Sequence, residues 1–171
     1  QPLETLTVTS DFGPRPSPVQ GASTNHQGVD YRAANGTTVY AAGDGTVVTS
    51  RCQNNSVNCG RTAAGNITGG YIVEIDHGNG ETTRYLHMTN PATVSVGDTV
   101  TGGQAIGLSD STGGVAPHLH FEVKQNGTAV DPELIFNGDT ITATIAMALD
   151  YEVQAGTEQQ IPLTRREVIC T

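Results

Sequence analysis

The segment Pro117-His118-Leu119-His120-Phe121-Glu122-Val123 places two of the chain's five histidines one residue apart. Alternate side chains of a β-strand share a face, so His118, His120 and Glu122 stand together while Leu119, Phe121 and Val123 point into a core. Two imidazoles side by side on a strand face are costly to pack unless something binds them, and a metal ion is the first suspect. His26-Gln27-Gly28-Val29-Asp30 adds an imidazole and a carboxylate four residues apart in an irregular, Gly-containing segment. His26, Asp30 and one histidine of the 118/120 pair make two imidazoles and one carboxylate, a suitable shell for catalytic zinc (Zn2+) with the fourth position left for water. Such a centre lowers the pKa of water and polarises a carbonyl, which predicts hydrolysis. Strand geometry leaves open whether His118 or His120 is the ligand.

The remaining imidazole of the pair and His87 are then spare beside the metal, and acid/base work and oxyanion stabilisation need groups of that kind. His87 ends a β-rich run, and by alternation Tyr85 shares its face. His77 lies beside Gly78-Asn79-Gly80, where a polar turn residue needs no function, and a structural role is expected. Glu122 fits either an acceptor behind a ligand imidazole or a surface carboxylate, and it is not counted in the site.

These residues need a scaffold of strands. The 171-residue chain is 36% hydrophobic, with 21 Gly, 8 Pro and many Thr and Val, a composition of strands joined by turns. The expected class is all-β. Tyr71–Asp76 and Glu81–His87 flank an Asn-Gly turn, the clearest hairpin signal. Gly43-Asp44-Gly45 and Val96-Gly97-Asp98 introduce two further turn-plus-strand units. Segment 1–37 is looser and is expected to wrap the sheet. One domain over 1–137 and a C-terminal extension over 138–171, holding an extra strand or two and a loose end, are expected.

A formal charge of −9 with Lys124 as the single lysine leaves no basic face for a run of phosphates, which argues against nucleic acid as a partner. No stretch approaches the roughly 18 apolar residues of a membrane span. The start at Gln1 suggests that a signal peptide or larger N-terminal region has been removed, and Cys52 and Cys59 flank a polar loop that suits a disulfide in an oxidising compartment. An exported protein, periplasmic or secreted, is expected. For Cys170 a free thiol, an intermolecular bridge and a rearranged pairing all stay open.

Taken in order, these blocks resemble the LytM/lysostaphin-type zinc endopeptidases, which cut peptide bonds in bacterial peptidoglycan. Asp11-Phe12-Gly13-Pro14-Arg15 is similar to the family's opening motif, and His26 to Asp30 to its His-x-x-x-Asp. Val39 to Val47, Tyr85-Leu86-His87, Val96 to Gly107, Ser111-Thr112-Gly113, Pro117 to Glu122 and Val130-Asp131-Pro132 follow in the family's order. The resemblance implies a LytM-like antiparallel β-sheet domain of the barrel-sandwich-hybrid type. It further implies that His26, Asp30 and His120 hold zinc, that His118 is the proton acceptor, and that His87 stabilises the oxyanion with Tyr85 as a further candidate. The implied substrate is the peptidoglycan stem peptide, with a D,D cross-link preferred over a glycine bridge.

Three features depart from the family pattern. The stretch through Cys52, Cys59 and Asn66 is longer than usual and could wall a substrate groove. The tail after Pro132 is also longer, and like the loop it could meet a regulatory or inhibitory partner. The chain is more acidic than expected for an enzyme of an anionic wall. Two other readings compete. A non-hydrolytic regulator that binds cell wall or activates an amidase would have lost zinc ligands, whereas all five positions are filled. A biotinyl or lipoyl carrier needs a lysine at a hairpin tip, and the only lysine follows the His-x-His strand.

Overall fold

The computed structural model describes residues 1–18, 22–54 and 59–136. Its main sheet is built from β1 (Val8–Ser10), β4 (Val29–Tyr31), β6 (Gly45–Cys52), β7 (Tyr71–Gly78), β8 (Glu81–Met88), β9 (Thr99–Val100), β11 (Leu119–Gln125) and β12 (Thr128–Val130). The order is β1-β4-β11-β8-β7-β6-β9 with β12 also on β11, and every pairing is antiparallel. Two small sheets complete it: β2 (Gly13–Pro14) with β3 (Asn25–His26), and β5 (Thr38–Tyr40) with β10 (Ala105–Leu108). A single turn of helix, α1 (Pro132–Phe136), follows. The all-β expectation holds.

The β7–β8 hairpin forms where the Asn-Gly signal put it. Gly78 pairs with Glu81, and Asn79 and Gly80 both take positive φ, 52° and 78°, as a two-residue turn matching the strand twist requires. Alternation then buries Val73 and Ile75 of β7 with Tyr85 of β8 and Leu119, Phe121 and Val123 of β11. Val29, Tyr31, Val47, Val100 and Ile106 close the same core. His77 belongs to β7 rather than to the turn, and its ring bridges the Asp44 carbonyl (2.6 Å) and the Thr83 hydroxyl (2.7 Å), the structural role expected of it.

One register decides the chemistry. β11 lies between β4 and β8, with His120 opposite Asp30 on one side and Leu86 on the other. The loop from His26 to Asp30 runs so close to β11 that a Cβ on Gly28 would sit 2.2 Å from the Phe121 carbonyl oxygen. Only glycine permits that approach, which is why a four-residue spacing in the sequence delivers both side chains to the β11 face.

The expected extension over 138–171, including Cys170, lies outside the described residues. Among the described residues no helix is long and apolar enough to cross a membrane.

Candidate metal centre and its groove

His26 arrives on β3, Asp30 on β4 and His120 on β11. His26 Nε2 lies 3.1 Å from Asp30 Oδ1 and 2.9 Å from His120 Nδ1, and His120 Nδ1 lies 2.8 Å from Asp30 Oδ1. The far side of each ring is fixed. His26 Nδ1–H donates to the Asp11 carbonyl at 2.7 Å, and His120 Nε2–H donates to Glu122 Oε1 at 3.1 Å. Carbonyl and carboxylate oxygens only accept, so the two nitrogens facing each other carry lone pairs in the neutral rings. Two lone pairs and a carboxylate oxygen converging at hydrogen-bond distance form a site for a cation, and the donor set is one that zinc accepts. His26, Asp30 and His120 form the metal-competent cluster found among the described residues.

Two more imidazoles border it. His118 Nδ1–H donates to the Ala116 carbonyl (2.7 Å), which leaves Nε2 toward the cluster, 3.5 Å from Asp30 Oδ1. His87 Nδ1–H donates to the Thr112 carbonyl (2.8 Å), and its ring centroid lies 4.6 Å from that of His118. Burial, reinforced by the neighbouring His118 and His120, pushes the His87 imidazole down to about 3. It is therefore neutral with a lone pair on Nε2, and it must gain a proton before it can donate.

The carboxylates are ionised for identifiable reasons. Burial alone would raise the Asp30 carboxyl, but the polar contacts of the His118, His120 and His26 imidazoles around it outweigh burial and hold the group well below the usual carboxylate range. Glu122 is buried too, yet the His120 hydrogen bond and the Arg84 and Lys124 charges bring it down to about 2. Arg84 Nη1 meets Glu122 Oε2 at 2.9 Å, and its Nε lies 3.4 Å from Glu74. Arg15 Nη1 donates to Asp30 Oδ2 at 2.9 Å and to the Ser10 hydroxyl.

Glu122 and Arg15 back the cluster through His120 and Asp30, and the sequence alone does not single them out. Alternation had put Glu122 on the right face; the missing information was its burial, at 5% exposure, which no surface carboxylate would accept. For Arg15 nothing in the local sequence pointed to Asp30. Partners behind metal-binding imidazoles typically contribute 10- to 100-fold to metal affinity. Glu122→Gln is accordingly expected to weaken zinc binding by about 10- to 100-fold, measured by competition with a chromophoric chelator.

Tyr85 stands in the core and not, as alternation predicts, beside His87. It does not share the groove face with His87: it is wholly buried, its ring lies against Phe121 at 5.2 Å, and its hydroxyl accepts the Ala42 amide at 2.8 Å and the Thr83 hydroxyl at 3.0 Å. The cause is local. His87 takes φ 61°, which breaks strand alternation at that residue and turns it toward the groove. Burial pushes the Tyr85 hydroxyl up to about 12 from 10.0. A group raised in the folded state stabilises it fully below its unfolded pKa, so this contribution is lost as pH climbs from 10 to 12. Tyr85→Phe is expected to cost about 1–2 kcal/mol in urea unfolding and to retain zinc and hydrolysis, the opposite of what an oxyanion donor would show.

A groove of about 510 Å³ opens over His118, His120, Asp30 and His87. Its far wall comes from the long loop: Arg61 and Ile67 line it, as the unusual length suggested. The sulfurs of Cys52 and Cys59 meet across the base of that loop, with Cα atoms 4.9 Å apart.

A His–Asp–His cluster on an antiparallel sheet, open to a groove and bordered by two further imidazoles, defines a metallopeptidase type of domain. The chain belongs to peptidase family M23, which residues 24–132 match. It is 41% identical over 126 residues to the peptidoglycan DD-endopeptidase ShyA and 38% identical over 136 residues to ShyC, both of Vibrio cholerae, covering 72% and 78% of this chain. Those stretches are only 26% and 28% of the relatives' own lengths. Among solved structures, the catalytic domain of lysostaphin from Staphylococcus simulans superposes with a TM-score of 0.61 at 32% identity, covering 77% of this chain and 92% of that domain. A zinc-containing peptidase from Vibrio cholerae gives a TM-score of 0.62 at 34% identity, covering 76% of this chain and 37% of the other.

Proposed function

We propose that the domain is a zinc-dependent endopeptidase that hydrolyses peptide cross-links of peptidoglycan, preferentially a D,D bond, in an exported setting. The convergence of His26 Nε2, Asp30 Oδ1 and His120 Nδ1 at the floor of an open groove carries the reading. Kinship with DD-endopeptidases supports the choice of bond. The pairing of Cys52 with Cys59 supports an oxidising compartment.

Zinc held by these three residues would supply a Lewis acid that polarises the scissile carbonyl and makes water a better nucleophile. The chain's own groups do the rest. Asp11 and Glu122 keep the ligand nitrogens of His26 and His120 bare and aimed inward. Arg15 occupies Asp30 Oδ2, so Oδ1 is the oxygen presented to the cluster. His118 Nε2, half-exposed at the groove edge and held there by the Ala116 carbonyl, accepts the proton of the attacking water and returns it to the leaving amine. His87 Nε2 carries the lone pair of a neutral ring whose Nδ1–H is held by the Thr112 carbonyl, so it accepts a hydrogen bond from the same water and orients it for attack.

Mass spectrometry of muropeptides from cross-linked peptidoglycan, digested by the zinc-loaded protein beside His118→Ala, tests the reading. New fragments absent from the variant identify the bond by mass. No cleavage at stoichiometric zinc would favour a regulatory protein.

A further inference from the structure

The groove's charged lining residues are Arg15, Asp30 and Arg61. Arg15 and Asp30 neutralise each other at 2.9 Å. Arg61 has no carboxylate partner among the described residues. Its Nη1 donates to the Gly65 carbonyl (3.0 Å) and its Nη2 to the Gly114 carbonyl (2.6 Å), which engages two of five guanidinium N–H groups and cancels no charge. In a chain with a formal charge of −9, the groove wall thus carries a guanidinium that no carboxylate of the described residues faces.

That cation is held in place. The stem of Arg61 lies so tightly over Gly114 that a Cβ there would come 2.4 Å from its Cγ. The loop around it is laced to the 111–114 segment: Gly113 N–H donates to the Cys59 carbonyl (2.6 Å), and Thr68 N–H to the Gly113 carbonyl (3.1 Å). The Thr68 hydroxyl also donates to the Gly60 carbonyl at 3.0 Å. With the sulfurs of Cys52 and Cys59 joined at the base, the backbone carrying the exposed Arg61 side chain is fixed before a ligand arrives, and its two carbonyl contacts lower the entropy lost on binding.

We propose that Arg61 is a specificity residue that binds a free carboxylate of the stem peptide flanking the scissile amide. The planar guanidinium matches a carboxylate better than any neutral group, and a charge-assisted pair is the stronger kind of hydrogen bond. The assignment deepens the endopeptidase reading and rests on it for the identity of the substrate.

The test uses two cross-linked muropeptide dimers that differ only in whether the stem carboxylates are free or amidated. Binding of each to the zinc-loaded His118→Ala variant is measured by calorimetry, with and without Arg61→Ala, beside kcat/KM of the active enzyme. The free dimer is expected to be preferred by about 10- to 100-fold, through KM rather than kcat, with the preference falling to near unity in Arg61→Ala and partly restored in Arg61→Lys. Equal affinity for both dimers, an equal loss on both in Arg61→Ala, or no binding of either would overturn the assignment. Failure of cleavage with the binding preference intact would instead defeat the endopeptidase reading and leave Arg61 as a carboxylate site.

Discussion

His118→Ala is expected to keep one zinc per chain while losing about 10²- to 10⁴-fold in cross-link hydrolysis, the usual contribution of a positioned acid/base group. The prediction follows from where the ring is tied. His118 is anchored by Nδ1 to the Ala116 carbonyl and reaches the cluster only through Nε2, 3.5 Å from Asp30. His26, Asp30 and His120 contact one another without it, and their outer partners Asp11, Arg15 and Glu122 touch other atoms. Removing it deletes the proposed proton acceptor and leaves the contacts among His26, Asp30 and His120 in place. Zinc by elemental analysis and fragment yield by mass spectrometry are read on the same preparation. If His118→Ala and His120→Ala lose zinc equally, the division of labour between the two histidines is wrong.

That division could not be reached from strand periodicity. Period-two alternation from Leu119 to Val123 places His120 and Glu122 on one face and Leu119, Phe121 and Val123 in the core, and the structure agrees. Alternation is silent about which imidazole nitrogen faces a partner, because that depends on β4 pairing with β11 across 90 residues of sequence. The same rule failed at Tyr85 for a different reason: a single positive φ at His87 ends the period, and a histidine, unlike a glycine, gives no notice of it. The Asn79-Gly80 turn, by contrast, was readable because those two residue types are the ones that take positive φ at low cost. Arg15 was visible as part of a motif, yet its bond to Asp30 belongs to tertiary structure alone. Glycine spacing was equally mute about Gly28, whose necessity comes from a carbonyl on β11.

The other large effect concerns the metal itself. His120→Ala removes one of the three proposed ligand atoms and also the N–H that Glu122 accepts, so half-buried Asp30 and buried Glu122 remain as carboxylates with less to compensate them. Zinc affinity is expected to fall by more than about 100-fold, beyond the 10- to 100-fold range of a partner lying outside the ligand shell, giving the order wild type and His118→Ala, then Glu122→Gln, then His120→Ala. Thermal unfolding reads this order without any substrate. A ligand present at 100 times its Kd stabilises the native state by about 2.7 kcal/mol, and for a chain of this size each kcal/mol moves Tm by roughly 2–4 °C. Zinc should therefore raise the wild-type Tm by about 5–10 °C at that ratio, and a chelator should reverse the shift. Under the same zinc concentration His120→Ala should show almost none of it, because its Kd has moved above the free metal. A full shift in that variant would place the ion elsewhere on the domain and detach the hydrolytic reading from the cluster that β3, β4 and β11 bring together.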